Sequence, residues 1–164
     1  MAQPASSLDF ATLSWHDNAL YGLRLDVGDP ARGDWRSELV LDIDHIVEWL
    51  CGVDRQIRFR VVPATLTFHD VTDLQIAIDC GDSGGQVSLS PLSIDRIDRE
   101  RLREQKICFD RPYYRWRIAL NAPQGGAIIF GASGFTQTLR AEPVLLDQQQ
   151  LPPADRTKAG APGP

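Results

Sequence analysis

The chain has little with which to staple or metallate itself. Its three cysteines, Cys51, Cys80 and Cys108, lie far apart and form no Cys-x-x-Cys pair. That excludes a zinc ribbon or a thioredoxin-type motif. The simplest reading is three reduced, mostly buried thiols; one disulfide with a spare thiol is the alternative. No apolar run approaches the roughly 18 residues needed to cross a bilayer. The start, Met1-Ala-Gln-Pro-Ala-Ser-Ser-Leu-Asp-Phe10, lacks the basic and apolar regions of a signal peptide. The expectation is a cytoplasmic protein that does not engage membrane. Basic residues are also in short supply, 17 against 22 acidic for a net charge of -5. This argues against nucleic acid as a partner, because phosphate binding needs a basic surface.

What is present is enough for one ordinary domain. Of the 164 residues, 43% are hydrophobic and 24% charged, so a core can form without metal or disulfide. The hydrophobic period is two. Leu23, Leu25 and Val27 alternate with polar residues, as do Leu39, Leu41, Ile43, His45, Val47 and Trp49. Ile57, Phe59 and Val61 repeat the pattern; so do Leu74, Ile76 and Ile78, then Tyr114, Trp116, Ile118 and Leu120, and later Phe135 and Leu139. Each run reads as a strand with one face on the core. Turn signals separate the runs, among them Gly28-Asp-Pro-Ala-Arg-Gly-Asp34, Cys51-Gly-Val-Asp54 and Asn121-Ala-Pro-Gln-Gly-Gly126. The expected fold is mainly β: a single antiparallel barrel or two-layer sandwich with at most one or two short helices.

Residues 94–106 fit this least well and suggest an extended start with a helical turn near Asp98. Residues 8–150 read as the globular domain. Residues 151–164, rich in Pro, Gly and Ala with no large apolar side chain after Leu151, read as a disordered tail.

Several strings invite chemistry. Gly81-Asp82-Ser83-Gly84-Gly85 is similar to the nucleophile loop of chymotrypsin-like proteases. However, no Ala-His-Cys string surrounds any histidine, and the loop reads as a hairpin turn. His16, His45 and His69 have carboxylates nearby in sequence, and such a set can bind metal or move protons. No His-x-His or His-x-x-x-His spacing exists, so a site would have to be assembled from three segments. The simpler reading is structural, with His45 on the core side of its strand and Asp17 or Asn18 satisfying backbone donors at a strand start. Asp42 and Asp44 share a strand face. They can act as acid and base or as calcium ligands, or pair with Arg24, Arg58 or Arg60. Trp49 and Trp116 fall on core parity. Trp35 lies in a polar loop as a candidate contact anchor. Gln137 and Arg140, near a strand end, are candidate binding groups for backbone carbonyls or a partner's carboxylate.

The strings Ser14-Trp-His-Asp-Asn18, Leu39-Val-Leu-Asp-Ile-Asp-His-Ile-Val-Glu-Trp49 and Gly134-Phe-Thr-Gln-Thr-Leu-Arg140 resemble those of a family of uncharacterised bacterial proteins. The likeness covers most of residues 14–150 and implies a compact bacterial domain. The His-Asp opening is loosely similar to some immunity proteins of bacterial toxin systems. Taken together, the residues point to a non-catalytic binding or interaction module whose partner is another protein or a small molecule. No cofactor is called for. Two alternatives are a metal-dependent or acid–base enzyme built on the His16, His45 and His69 region, and a small-ligand carrier with an apolar interior.

Overall fold

A computed structural model describes residues 10–81, 88–103 and 110–160. Among the described residues nine strands form one antiparallel sheet: β1 (Ala19–Val27), β2 (Ser37–Cys51), β3 (Ile57–His69), β4 (Thr72–Ala77), β5 (Leu92–Arg101), β6 (Tyr114–Ala122), β7 (Ala127–Ala132), β8 (Gly134–Leu139) and β9 (Val144–Leu146). The strand order is β4-β7-β6-β5-β1-β2-β3-β8, with β9 added to β3. The mainly-β antiparallel architecture expected from the period is therefore present. The sheet is open, with β4 and β8 at its ends, so closure into a barrel does not follow from the strand order.

The sheet curls until its halves face each other. Phe68 of β3 meets Trp116 of β6 and Phe130 of β7 at ring separations of 5.0 and 4.7 Å, although β5, β1 and β2 intervene along the sheet. Tilted and edge-on rings of this kind pack well. With Trp15, Phe135 and the inward aliphatic residues of β2, β3, β5, β6 and β7, they fill the interior. A sharp corner shapes one end. His69 pairs with Gly134 and Thr72 with Gly131, so β3 turns into β4 where β7 turns into β8. Gly131 is required there, because a Cβ would come within 2.7 Å of Thr72 Oγ1 and 2.8 Å of the Tyr113 ring.

The outer face of β2 and β3 carries a second, smaller core. Ile46, Phe59 and Val61 are covered by Leu146 of β9 and by Leu151, which is 4% exposed. Beyond Leu151 runs helix α1 (Pro153–Lys158). Residues 151–160 are thus packed onto the sheet and are not the disordered tail the composition suggests. Their anchoring comes from one apolar side chain and from polar contacts, which a search for large apolar residues does not register.

Two further expectations change. Residues 94–101 are continuous strand, with Asp98 opposite Arg117 in the β5·β6 ladder and no helical turn. Arg99 lies 4.3, 4.4 and 5.3 Å from the rings of Phe10, Tyr114 and Trp116, a tertiary contact that overrides local helix propensity. Cys51 and Cys80 are free but exposed rather than buried. Cys108, Ser83 and most of the Gly81–Gly85 string lie outside the described residues.

Candidate functional site

The histidines do not converge. His69 stands opposite Glu38 in the β2·β3 ladder, and His45 stands opposite Val62. Seven residues of strand separate the two positions, roughly 23 Å. Among the described residues no three His, Cys, Asp or Glu side chains are grouped to hold a metal ion.

Each histidine has its own surroundings. His16, in the turn before β1, donates from Nδ1 to the Asp95 carbonyl at 2.9 Å and stacks beside Trp49 at 6.4 Å. Trp49 is 47% exposed, not inside the core, and packs edge-on against Phe59. Asp17 adopts φ 60 and accepts from Asn121 Nδ2 at 2.7 Å and Gln149 Nε2 at 2.9 Å. Asn18, fully buried, satisfies the backbone donor of the neighbouring strand: its Oδ1 accepts from Ile46 N at 3.2 Å. That fixes its amide orientation, so Nδ2 donates to His45 Nδ1 at 2.9 Å. His45 is therefore neutral with its proton on Nε2, and burial lowers its pKa to about 4.

His69 is half-buried on the outer face. Its Nδ1 meets Glu38 Oε1 at 2.9 Å and its Nε2 meets Thr136 Oγ1 at 2.7 Å. The carboxylate–imidazole–hydroxyl order is that of a nucleophile relay. It also satisfies three polar groups on three adjacent strands.

Asp42 and Asp44 are salt-bridged, but not by Arg24, Arg58 or Arg60. Their partners come from β8's end and from the carboxyl-terminal segment. Arg156 donates to Asp42 Oδ1 at 2.7 Å and also to Asp44, while Arg140 donates to Asp42 and to the Gly160 carbonyl. The fully buried Asp44 carboxylate accepts in addition from Tyr21 Oη at 3.0 Å and Leu151 N at 2.9 Å. Arg156 also lies 3.7 Å over the Tyr21 ring. Burial and the adjacent Asp44 raise the Tyr21 pKa; burial lowers that of Arg140 despite Asp42. This cluster consumes its own charges and works as a latch for residues 151–160. Gln137 is buried and accepts from Trp15 Nε1 at 2.8 Å, so it too is structural.

The unconsumed surface lies on β1. Residues 19 and 20 pair with Ser93 and Leu92 of β5, but the ladder goes no further. Pro91 precedes Leu92 and has no N–H to donate, and β1 has a register shift between Leu20 and Gly22. Among the described residues, 22–27 pair only with β2, leaving one edge open. Leu23 and Leu25 stand opposite Leu41 and Leu39 on the core face. Leu39 and Leu41 are fully buried, whereas Leu23, Leu25 and Val27 are 37%, 51% and 64% exposed. Trp35, in the loop that closes this end of the hairpin, is 77% exposed. A cleft of about 490 Å³ opens where β1 and residues 89–92 separate, lined by Leu20, Leu23, Leu89 and Pro91. Alternation correctly assigned Leu23 and Leu25 to the core face. It carried no sign that the opposite layer stops short of them; Pro91 was the one signal available.

The fold and this edge define an open, curled antiparallel sheet protein with a latched carboxyl-terminal segment. No protein-family model, curated protein or solved structure matches the chain.

Proposed function

We propose that the protein is a non-catalytic interaction module that takes a partner's strand against the open edge of β1. The observation that carries this is the run 22–27: among the described residues its only strand partner is β2, and three apolar side chains are exposed on its core face. Stable proteins blunt such edges or cover them. One that keeps its backbone donors and acceptors beside an apolar row is a template for strand addition, where the main chain gives affinity and alternate side chains give selectivity. The likeness to immunity proteins agrees with a binding role. The aromatic packing that fills the interior counts against a hollow carrier.

A photo-crosslinking residue placed at Val27, with the still more exposed Val53 as a control, tests the reading. The expected result is an adduct of defined mass from Val27 only, abolished by Leu25→Lys without a change in melting temperature. Equal labelling from both positions sinks it.

The acid–base alternative keeps one specific observation, the Glu38–His69–Thr136 relay. It predicts that a hydroxyl-directed fluorophosphonate labels Thr136 and that His69→Ala abolishes the label. On the interaction reading Thr136 stays unmodified after prolonged exposure, and intact-mass measurement separates the two.

A further inference from the structure

We propose that Tyr21, Asp42 and Asp44 form a guanidinium-binding site, that Arg156 plugs it from within the chain, and that an arginine of a partner protein takes it when residues 151–160 lift. The inference does not rest on the strand-addition reading. Tyr21 is the extra residue of the β1 bulge: Leu20 pairs with Ile43 and Gly22 with Asp42, so no residue stands directly opposite it. Bulges re-aim side chains, and this one brings the Tyr21 ring under the Arg156 guanidinium, 3.7 Å from its carbon. Asp42 and Asp44, two apart on β2, receive its two prongs: Nη2 donates to Asp42 at 2.7 Å and Nη1 to Asp44. Opposite Asp42, Gly22 has no side chain to compete for that space. A ring face plus two carboxylates fits a flat, forked cation; an ammonium is a point charge without a face to stack.

The site demands a cation. Two carboxylates face two arginines, Arg140 and Arg156, so losing Arg156 leaves one negative charge in excess beside the fully buried Asp44. The segment that supplies Arg156 is otherwise lightly held. Helix α1 buries none of its residues and has no side-chain cap at its start. From 151 to 160 only Leu151 is buried. The segment's polar holds on the sheet all end in this cluster: Leu151 N and Arg156 on Asp44, Arg156 on Asp42, and the Gly160 carbonyl on Arg140. A rival arginine therefore competes for the contacts that keep the segment down. A tethered occupant acts at roughly millimolar effective concentration, so a free small cation does not displace it. A partner protein gains a second contact, because lifting Leu151 also bares Ile46, Phe59 and Val61.

Thermal melts of full-length Arg156→Ala in methylguanidinium, with methylammonium as the control cation, test the site. The expected result is a saturable rise of several degrees with methylguanidinium, none with methylammonium, and neither effect in wild type. If the variant is unfolded alone, recovery of its β-sheet circular dichroism by methylguanidinium is the same result. No response, or an equal response to both cations, overturns the guanidinium site; an equal response in wild type places the binding elsewhere and overturns it too. Hydrogen exchange on wild type tests the lifting. The Leu151 amide should exchange about tenfold faster or more than the amides of residues 39–43, which belong to a strand paired on both sides. Exchange of Leu151 at the rate of those amides means that the site empties only on global unfolding, and the plug is then a fixed part of the fold.

Discussion

Arg156→Met should destabilise the protein by about 3–5 kcal/mol, the usual loss when one member of a buried ion pair is removed. Asp44 is fully buried and accepts three hydrogen bonds, from Tyr21 Oη, Leu151 N and Arg156; the Arg156 guanidinium, which also bonds Asp42 and lies over the Tyr21 ring, supplies the countercharge. Methionine keeps much of the arginine's bulk, so Asp44 stays covered but loses its countercharge. For a chain of this length the loss lowers the melting temperature by about 6–20 °C. Asp44→Asn in the Arg156→Met background should recover at least half of it. The amide keeps an acceptor for Tyr21 Oη and Leu151 N, yet carries no charge to strand. Urea unfolding of wild type, both single variants and the double gives the coupling directly. An Arg156→Met variant within about 1 kcal/mol of wild type would make the latch a bystander.

The same latch shows where the sequence was legible and where it was not. Period-two alternation locates the strands because one face of each is buried, and Leu39, Leu41 and Ile43 lie on the core as that period requires. Alternation cannot report a second covered face. Val61 and Val62 are both fully buried because Leu146 and Leu151 arrive on the outer side from far along the chain. Nor can it say which arginine meets Asp42 and Asp44. Arg24 and Arg60, on the neighbouring strands, were the local choice, whereas Arg140 and Arg156 are about a hundred residues away in sequence. The burial of His45 was readable from its core parity, and the hydrogen bond of Asn18 to a backbone donor from its position at a strand start. The open edge of β1 depends on where a different strand ends, and that information is absent from residues 22–27 themselves.

Stability should fall by about 3 kcal/mol as pH drops from 6.5 to 4 through His45 alone, before general carboxylate protonation is counted. The imidazole is 5% exposed, and burial lowers its folded-state pKa from 6.5 to about 4. The unfolded chain therefore binds a proton in that window that the folded chain refuses. The contribution is complete above pH 6.5, declines as pH falls, and levels off below about 4. The hydrogen bonds give the refusal a local cause. Ile46 N–H donates to Asn18 Oδ1, and Asn18 Nδ2 donates to His45 Nδ1. A proton on Nδ1 sets donor against donor, and turning the Asn18 amide over only moves the conflict to Ile46 N–H. An exposed imidazole would escape by taking water; this one is enclosed between strands. His45→Asn supplies an uncharged acceptor near the Nδ1 position, so its baseline stability falls through the smaller side chain but its profile between pH 6.5 and 4 flattens relative to wild type. Unfolding free energies of the two proteins, measured side by side across that range, isolate the histidine because every carboxylate is common to both. Parallel profiles would mean that His45 accepts its proton in the folded state, and that the polarity of the Ile46–Asn18–His45 chain is not fixed.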